Sequence, residues 1–284
     1  MRISFLRLSA AALLATTVAA PAFAQDAGVE PFSGLYVAGT IGKIAQSNDG
    51  PSAIKFDRNG DGTFGDPVFT ATGGDAFNNS TGQAYCGGRA LGATFGAGCA
   101  RDKDGFDYSA RVGFDRQMGP FVVGVVGEFG KATLKDYVTA YSTTPASYTM
   151  ERRIGWEASA RLRAGYAANT TLFYATGGAG YAQIKNRFFT TNTANAFTDN
   201  GNSKEWGFVV GGGIEQKITQ NISLGVEYGY HDYKDDGYRV LATRGTAAAT
   251  NPFVLAPNTA GTTFARADDN FRWHSVKAVA AFRF

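Results

Sequence analysis

Residues 151–166 read ERRIGWEASARLRAGY, and the alternation within this stretch decides the fold. One alternate set is apolar with aromatic members: Ile154, Trp156, Ala158, Ala160, Leu162, Ala164 and Tyr166. The other set carries charges and small residues: Arg153, Gly155, Glu157, Ser159, Arg161, Arg163 and Gly165. Because successive side chains of a strand point to opposite faces, the pattern predicts a strand with one apolar and one polar face.

Similar segments recur along the chain and predict eight strands. They span 34–46, 104–118, 121–137, 151–168, 171–188, 203–218, 222–237 and 268–284. Tight turns at 119–120, 169–170 and 219–221 alternate with long connections at 47–103, 138–150, 189–202 and 238–267. This alternation is typical of outer-membrane barrels, which have short periplasmic turns and long external loops. The predicted fold class is therefore all-β, an eight-stranded antiparallel up-and-down transmembrane β-barrel.

Composition excludes several other classes of protein. Only 18% of the 284 residues are charged and 13% are aromatic, which argues against disorder. Two cysteines are too few for a disulfide-dense scaffold. A formal net charge of +3 is too small to indicate a nucleic-acid partner.

The first 24 residues have the pattern of a cleaved secretory signal peptide. Arg2 and Arg7 precede a short apolar run, and Ala22-Phe23-Ala24 forms a cleavage signal. The alternative is an uncleaved membrane anchor, which the shortness of the apolar run disfavours. Cleavage would remove two arginines and no acid, leaving a net charge of 25 − 24 = +1. We expect a periplasmic linker at 25–33 and one barrel domain at 34–284, with 47–103 as a long extracellular loop.

The polar face of the strands is expected to line the barrel lumen, since it is too charged to meet lipid. The predicted lumen charges are Arg111, Asp115, Glu128, Arg153, Glu157, Arg161, Arg163, Glu215, Lys217, Glu227, Lys277 and Arg283. Buried charges persist when they are paired, and an eight-stranded barrel is narrow enough for side chains to fill. The two interpretations are a salt-bridged structural core, which we favour, and a conduction pathway.

Four segments resemble the outer-membrane β-barrel family that includes the transmembrane domain of outer membrane protein A and the 25- and 31-kDa alphaproteobacterial surface proteins. They are GLYVAGTIGKI (34–44), TLFYATGGAGYA (171–182), ISLGVEYGY (222–230) and HSVKAVAAFRF (274–284). The resemblance implies an outer-membrane location, contact with membrane lipid and lipopolysaccharide, and a monomeric state. The terminal aromatics Phe282 and Phe284 resemble the signal read by the barrel-assembly machinery. The long loop 47–103 departs from the short first loop of many members.

The sequence D-x-N-x-D-G at 57–62 matches the first half of an EF-hand calcium loop. Asp57, Asn59, Asp61, Thr63 and Asp66 are the candidate ligands, but Val68 stands where the loop normally has Glu. The alternative is a surface turn that needs no metal. No cofactor is required by this interpretation, and calcium is the one candidate.

Two further features lie outside the alternating pattern. Cys86 and Cys99 are expected to form a disulfide in an exported chain, against the alternative of two free thiols. The two histidines, His231 and His274, give no triad by sequence spacing, so we expect no enzyme. The predicted function is structural: envelope integrity and surface interactions through the loops, with a narrow porin for small solutes or ions as the alternative.

Overall fold

A computed structural model describes residues 30–46, 53–77, 84–102 and 104–284. The expected signal peptide and residues 25–29 of the expected linker lie outside the described residues. Among the described residues, no helix is long and apolar enough to cross a membrane. Two short 3₁₀ helices span Phe95–Ala97 and Pro252–Val254.

Sixteen strands are described. In chain order they are β1 (Gly34–Ala45), β2 (Ile54–Asp57), β3 (Tyr85–Gly87), β4 (Arg89–Ala90), β5 (Cys99–Ala100), β6 (Gly105–Met118), β7 (Phe121–Ala132), β8 (Lys135–Ser142), β9 (Ala146–Ala168), β10 (Thr171–Thr190), β11 (Ala196–Asp199), β12 (Ser203–Lys217), β13 (Ile222–Lys234), β14 (Val240–Thr243), β15 (Thr262–Arg266) and β16 (Asn270–Arg283).

Eight of these strands form a closed antiparallel barrel, which confirms the predicted fold class. The order is β10-β12-β13-β16-β1-β6-β7-β9, and pairing of β9 with β10 closes the ring. The apolar set faces outward, as Leu162 (70% exposed) and Val125 (53% exposed) illustrate. The opposite set is buried in the lumen. Lipid outside the barrel explains why the apolar side chains are exposed and the charges are internal.

Tyrosine rings in the lumen lie over glycines of the neighbouring strand. Tyr36 is directly opposite Gly113, and Tyr233 is directly opposite Gly207. A Cβ atom added at Gly113 would come within 2.3 Å of the Tyr36 ring. Glycine is needed here because the ring occupies the space of a side chain.

Strand β9 contains a bulge that reverses its faces. The register shifts between Gln183 and Ile184, which pair with Trp156 and Ile154, so Gly155 is left unpaired. Ile154 is therefore buried, and Arg153 turns to the outer wall with its side chain 31% exposed. The sequence-based placement of Arg153 inside the lumen and Ile154 outside is wrong for this reason.

The described parts of the long connections are structured rather than open loops. Strands β11, β14, β15 and β2 form a four-stranded sheet, and β8 forms a hairpin with the first part of β9. We call residues 53–77, 84–102, 133–153, 184–202 and 235–269 the cap. The expected single strand 121–137 is broken between β7 and β8, and the expected loop 138–150 is mostly strand.

The cap has a hydrophobic core of its own. Phe264 is fully buried, and its ring lies 4.9 Å from that of Phe56 and 5.2 Å from that of Phe253 (centroid to centroid). Tyr148 and Phe77 also belong to this aromatic cluster. The apolar residues of the cap are contributed by segments far apart in sequence, which is why no local periodicity marked them.

Candidate functional site

The centre of the lumen is filled by a network of paired charges. Arg111 donates to Glu128 at 2.6 Å and to Glu227 at 2.8 Å. Arg161 bridges the same two carboxylates, at 3.1 Å to Glu227. Lys277 places its Nζ 2.9 Å from both Glu128 and Asp107. Each cation thus lies between two anions, which is the arrangement that stabilises buried charge.

A second layer lies toward the tight turns. Arg163 donates to Asp115 at 2.8 Å and also contacts Glu215, while its guanidinium stacks 3.9 Å from the Tyr174 ring centroid. Arg283 reaches Asp115 at 3.0 Å. The layer pairs two arginines with two carboxylates from four different strands.

Ten of the twelve predicted lumen charges take part in these ion-pair layers or in the adjoining histidine contact. They are Arg111, Asp115, Glu128, Glu157, Arg161, Arg163, Glu215, Glu227, Lys277 and Arg283. Lys217 instead donates to the Gln220 carbonyl at the turn end, at 2.7 Å. Arg153 lies on the outer wall, as described above.

Apolar side chains close the lumen on both sides of the charges. At the turn end, Phe32 is fully buried with Val122, Ala167 and Leu172, and Arg283 donates to its carbonyl at 2.8 Å. Part of the expected linker 25–33 therefore belongs to the barrel interior. At the cap end the closing cluster contains ten buried residues: Ile44, Ala132, Leu134, Ile154, Ala182, Ile184, Val209, Tyr233, Phe271 and Trp273.

A third charge cluster lies within the cap, on the far side of the apolar cluster from the lumen charges. Arg152 is fully buried and contacts Asp136, Asp235 and Asp268, the last at 2.8 Å. Arg266 donates to Asp136 at 2.8 Å. Sequence reasoning missed this cluster because the bulge at Gly155 and the fold of the cap bring its members together.

Asp136 of this cluster and its neighbour Asp102 have pKa values shifted in opposite directions. Burial would raise the pKa of Asp136, but the guanidinium groups of Arg266 and Arg152 outweigh it and hold the pKa below its ordinary value. Burial, together with the neighbouring Asp136 carboxylate, raises the pKa of Asp102 to about 7. Asp102 also accepts a hydrogen bond from the backbone N–H of Tyr137 at 3.0 Å.

One arrangement in the lumen has the connectivity of a hydrolase triad. His231 Nδ1 lies 2.7 Å from Glu157, and its Nε2 lies 3.1 Å from the Ser275 hydroxyl. Sequence spacing could not reveal this contact because the three residues lie on three strands. Ser275 is fully buried, however, and the cavity of about 10 Å³ beside His231 and Glu157 holds at most one water. An acyl substrate has no room at this serine.

The same region contains a candidate metal-ligand group. Asp107, Glu157 and His231 have ligand atoms within 4.8 Å of one another, the sole such His/Cys/Asp/Glu group among the described residues. Each of these residues already has a protein partner: Lys277 for Asp107, Tyr233 at 2.6 Å for Glu157, and Ser275 for His231. The site is therefore explained by hydrogen bonding without an ion.

The predicted calcium loop is organised by its own backbone. Asp57 accepts from the N–H groups of Gly60 (2.7 Å) and Gly62 (2.9 Å), and Asp66 accepts from Arg58 and Asn59. Asp61 Oδ1 accepts from the N–H of Thr63 at 2.7 Å. The carboxylates of Asp57, Asp61 and Asp66 do not converge on a common point in this arrangement. Calcium binding remains a prediction.

The disulfide and the terminal aromatics lie at opposite ends of the molecule. Cys86 and Cys99 are joined, and their segment of the cap packs against β8, where Thr139 donates to Gly88 O at 2.7 Å. Phe282 and Phe284 point outward at the turn end, with ring centroids 5.2 Å apart. Their role as an assembly signal stays a prediction.

Comparisons with known proteins agree with this architecture. Residues 10–254 match the family model described as "Outer membrane protein beta-barrel domain". The 22 kDa outer membrane protein of Rhizobium leguminosarum bv. viciae is 29% identical over 141 residues, covering 50% of this chain and 59% of that protein. The 25 kDa outer-membrane immunogenic protein of Brucella abortus is 30% identical over 140 residues, covering 49% and 58%. The chain thus spans less than two thirds of these relatives.

Among solved structures, similarity extends over most of the chain at low sequence identity. OprG of Pseudomonas aeruginosa has a TM-score of 0.44 and 12% identity, covering 89% of this chain and 97% of its own. The outer membrane protease OmpT of Escherichia coli has a TM-score of 0.41 and 10% identity, with the same coverage.

Proposed function

From the premise that this chain belongs to the outer-membrane β-barrel family, we propose that it is a structural, non-conducting barrel that displays a folded cap at the cell surface. The chain is located in the outer membrane. Its proposed contribution is to envelope integrity and to surface interactions made by the cap.

The filling of the lumen is the observation that carries the proposal. Paired charges occupy the centre, Phe32 closes the turn end, and Trp273 with its neighbours closes the cap end. Water and ions need a continuous polar path to cross a barrel, and these two apolar clusters interrupt it. The alternative, a narrow porin, would require both clusters to open.

Planar-bilayer recording tests the closed lumen. We expect the purified full chain to insert without discrete conductance steps, while a sixteen-stranded porin recorded in parallel gives open channels. Heat-modifiable gel mobility of the same sample would show that the barrel is folded. Reproducible open steps from the folded protein would favour the porin alternative.

The proposal also excludes an enzymatic role for the Ser275–His231–Glu157 contact. The full burial of Ser275 supports this exclusion. A fluorophosphonate probe, which reacts with activated serine, is expected to leave the folded protein unlabelled. Labelling that disappears in Ser275→Ala would overturn this part of the proposal.

The envelope role is tested in cells. Loss of the protein is expected to raise the uptake of a hydrophobic dye, and the wild-type chain is expected to restore exclusion. Unchanged uptake without the protein would contradict the envelope role and leave the closed lumen to the bilayer recording.

A further inference from the structure

The outer wall just beyond the membrane-facing band carries a row of cations on three adjacent strands. Lys135 of β8 is directly opposite Arg153 of β9, and Arg153 is directly opposite Lys185 of β10. Side chains in this relation have Cβ atoms about 4.5–5.5 Å apart, and like charges so placed destabilise a sheet. The row therefore costs stability unless an anion lies against it.

The protein supplies little negative charge to this row. The Glu151 carboxylate is 3.8 Å from Arg153 Nε, and that Nε is buried without a hydrogen-bond partner among the described residues. Two more exposed cations adjoin the row: Arg187 opposite Glu151, and Lys204 opposite Gln183. Among the described residues, Glu151 is the one carboxylate within 4.0 Å of any of these five cations.

The row lies at the level of lipid headgroups. On the side toward the tight turns it borders a continuous aromatic girdle, in which Trp156 contacts Tyr181 at 5.8 Å and Tyr181 contacts Trp206 at 4.8 Å (ring centroids). Such girdles mark the membrane interface of outer-membrane barrels. Since the row is on the cap side of the girdle, it faces the outer leaflet.

The opposite wall differs at the same level. There Arg272 of β16 pairs with Asp232 at 2.9 Å, and Asn270 donates to the same carboxylate at 2.7 Å. Arg272 is therefore paired within the protein. The exposed cations Lys43 of β1 and Lys131 of β7 are not directly opposite another cation. The clustering of cations on β8, β9, β10 and β12 therefore indicates a localised site rather than a general basic surface.

We propose that Lys135, Arg153 and Lys185 form a binding site for the anionic groups, such as phosphate, of an outer-leaflet glycolipid. Arginine and lysine bind phosphate through charge-assisted hydrogen bonds. Trp156 and Tyr181 lie where the acyl chains of the same lipid would begin. This inference goes beyond the proposed function because it does not depend on whether the lumen conducts.

Retention of bisphosphorylated lipid A by the purified full chain tests the site. Protein is mixed with the lipid in detergent, repurified, and the bound lipid is counted by native mass spectrometry. We expect K135Q/R153Q/K185Q to retain roughly tenfold less lipid than wild type, because charge-assisted hydrogen bonds are lost. A matched control, K43Q/R116Q/K234Q, removes three exposed cations from β1, β6 and β13 and should retain lipid like wild type.

Two further arms identify the ligand group and its source. Wild type is expected to retain fully dephosphorylated lipid A as poorly as the triple variant retains the bisphosphorylated form. Millimolar inorganic phosphate is expected not to displace the lipid. Displacement would mean that the site binds a small free anion. Equal retention of lipid by wild type and the triple variant would mean that these cations do not bind it. Either result overturns the proposal.

Folding of the variant is checked independently. Heat-modifiable mobility reports the barrel, and the single variant Arg153→Gln provides a milder change at the centre of the row. A single variant that folds and retains lipid fully, together with a triple variant that also retains it, would contradict the proposal.

Discussion

The lumen and the cap fill their interiors in opposite ways. The lumen contains layers of ion pairs such as Arg111 with Glu227, whereas the cap contains an aromatic cluster around Phe264. The difference follows from what lies outside each region: lipid requires the apolar set of a barrel strand to face outward, while water around the cap favours apolar burial. One protein thus contains a polar core inside the barrel and an apolar core inside the cap.

Strand β9 connects the two regions and shows how they are joined. Its turn-end half sends Arg161 and Arg163 inward, and its cap-end half sends Ile154 and Met150 inward. The unpaired Gly155 lies between the halves and reverses the faces. A single bulge is therefore enough to change which core a strand builds.

Breaking a buried ion pair of the lumen should have the largest effect. Glu227→Ala leaves Arg111 and Arg161 without one of their two carboxylates, and we expect a loss of about 3–5 kcal/mol in the free energy of unfolding. Urea unfolding in lipid vesicles, followed by tryptophan fluorescence, measures this.

The matched control for that change is an exposed pair. Asp236→Ala breaks the contact of Asp236 with Lys234, whose side chain is 67% exposed, and should leave the free energy of unfolding nearly unchanged because water screens an exposed pair. Equal losses in the two variants would show that the lumen network does not behave as a buried core.

Truncating the centre of the cap should give a smaller global effect that is confined to one region. Phe264→Ala removes a fully buried ring and should cost the cap about 3 kcal/mol. The barrel has its own layers of contacts, so we expect faster proteolysis within 235–269 but unchanged heat-modifiable mobility.

Leu241→Ala is the control for the cap. Leu241 lies on β14 of the same sheet and is 40% exposed, so proteolysis should change little. Simultaneous loss of the barrel in Phe264→Ala would mean that the two cores fold as one unit.

The pKa of Asp102 makes the cap sensitive to pH in a predictable direction. The folded pKa of about 7 exceeds the unfolded value of about 3.9, so the folded state binds more protons between pH 4 and 7. This carboxyl therefore makes the cap less stable as pH rises through that window. Asp102→Asn should remove this dependence on pH. Between pH 5 and 8 the stability of the cap in the variant should therefore rise relative to that of wild type, by about 1 kcal/mol once solvent screening is allowed for.

The rate of amide hydrogen exchange in residues 135–142 measures this change in cap stability, because the Tyr137 N–H donates to Asp102. Asp104→Asn, an exposed carboxyl two residues away, serves as the control. If Asp102→Asn and wild type show the same change in exchange between the two pH values, burial of Asp102 does not couple to cap stability.

The sequence allowed the barrel to be predicted but not the cap, for a physical reason. Period-two alternation is local, and lipid imposes it on every strand, so ten of the twelve lumen charges could be identified from spacing alone. The cap core depends on contacts between Phe56, Tyr148 and Phe264, which no short window of sequence contains. Ser275 is not directly opposite His231 but two positions along the neighbouring strand, so the contact follows only once the register of the two strands is known. The burial of Phe32 depends on a segment that precedes the first strand.

The bulge provides the prediction with the smallest expected effect and the most direct test of how the two cores are joined. Deleting Gly155 removes a residue that pairs with nothing on β10, so Trp156 and Ile154 become neighbours and keep their partners Gln183 and Ile184. Both faces of β9 then retain their present environments without a bulge. We expect native heat-modifiable mobility and a protease-resistant cap.

Deletion of Ala160 is the contrasting change. Ala160 pairs with both Ala179 and Gly127, so its removal shifts the faces of β9 within the barrel and brings charged side chains toward lipid. That variant should lose heat-modifiable mobility. If deletion of Gly155 were equally damaging, β9 would need the bulge in order to form at all. The bulge would then do more than reverse the faces of β9 between the polar lumen and the apolar cap.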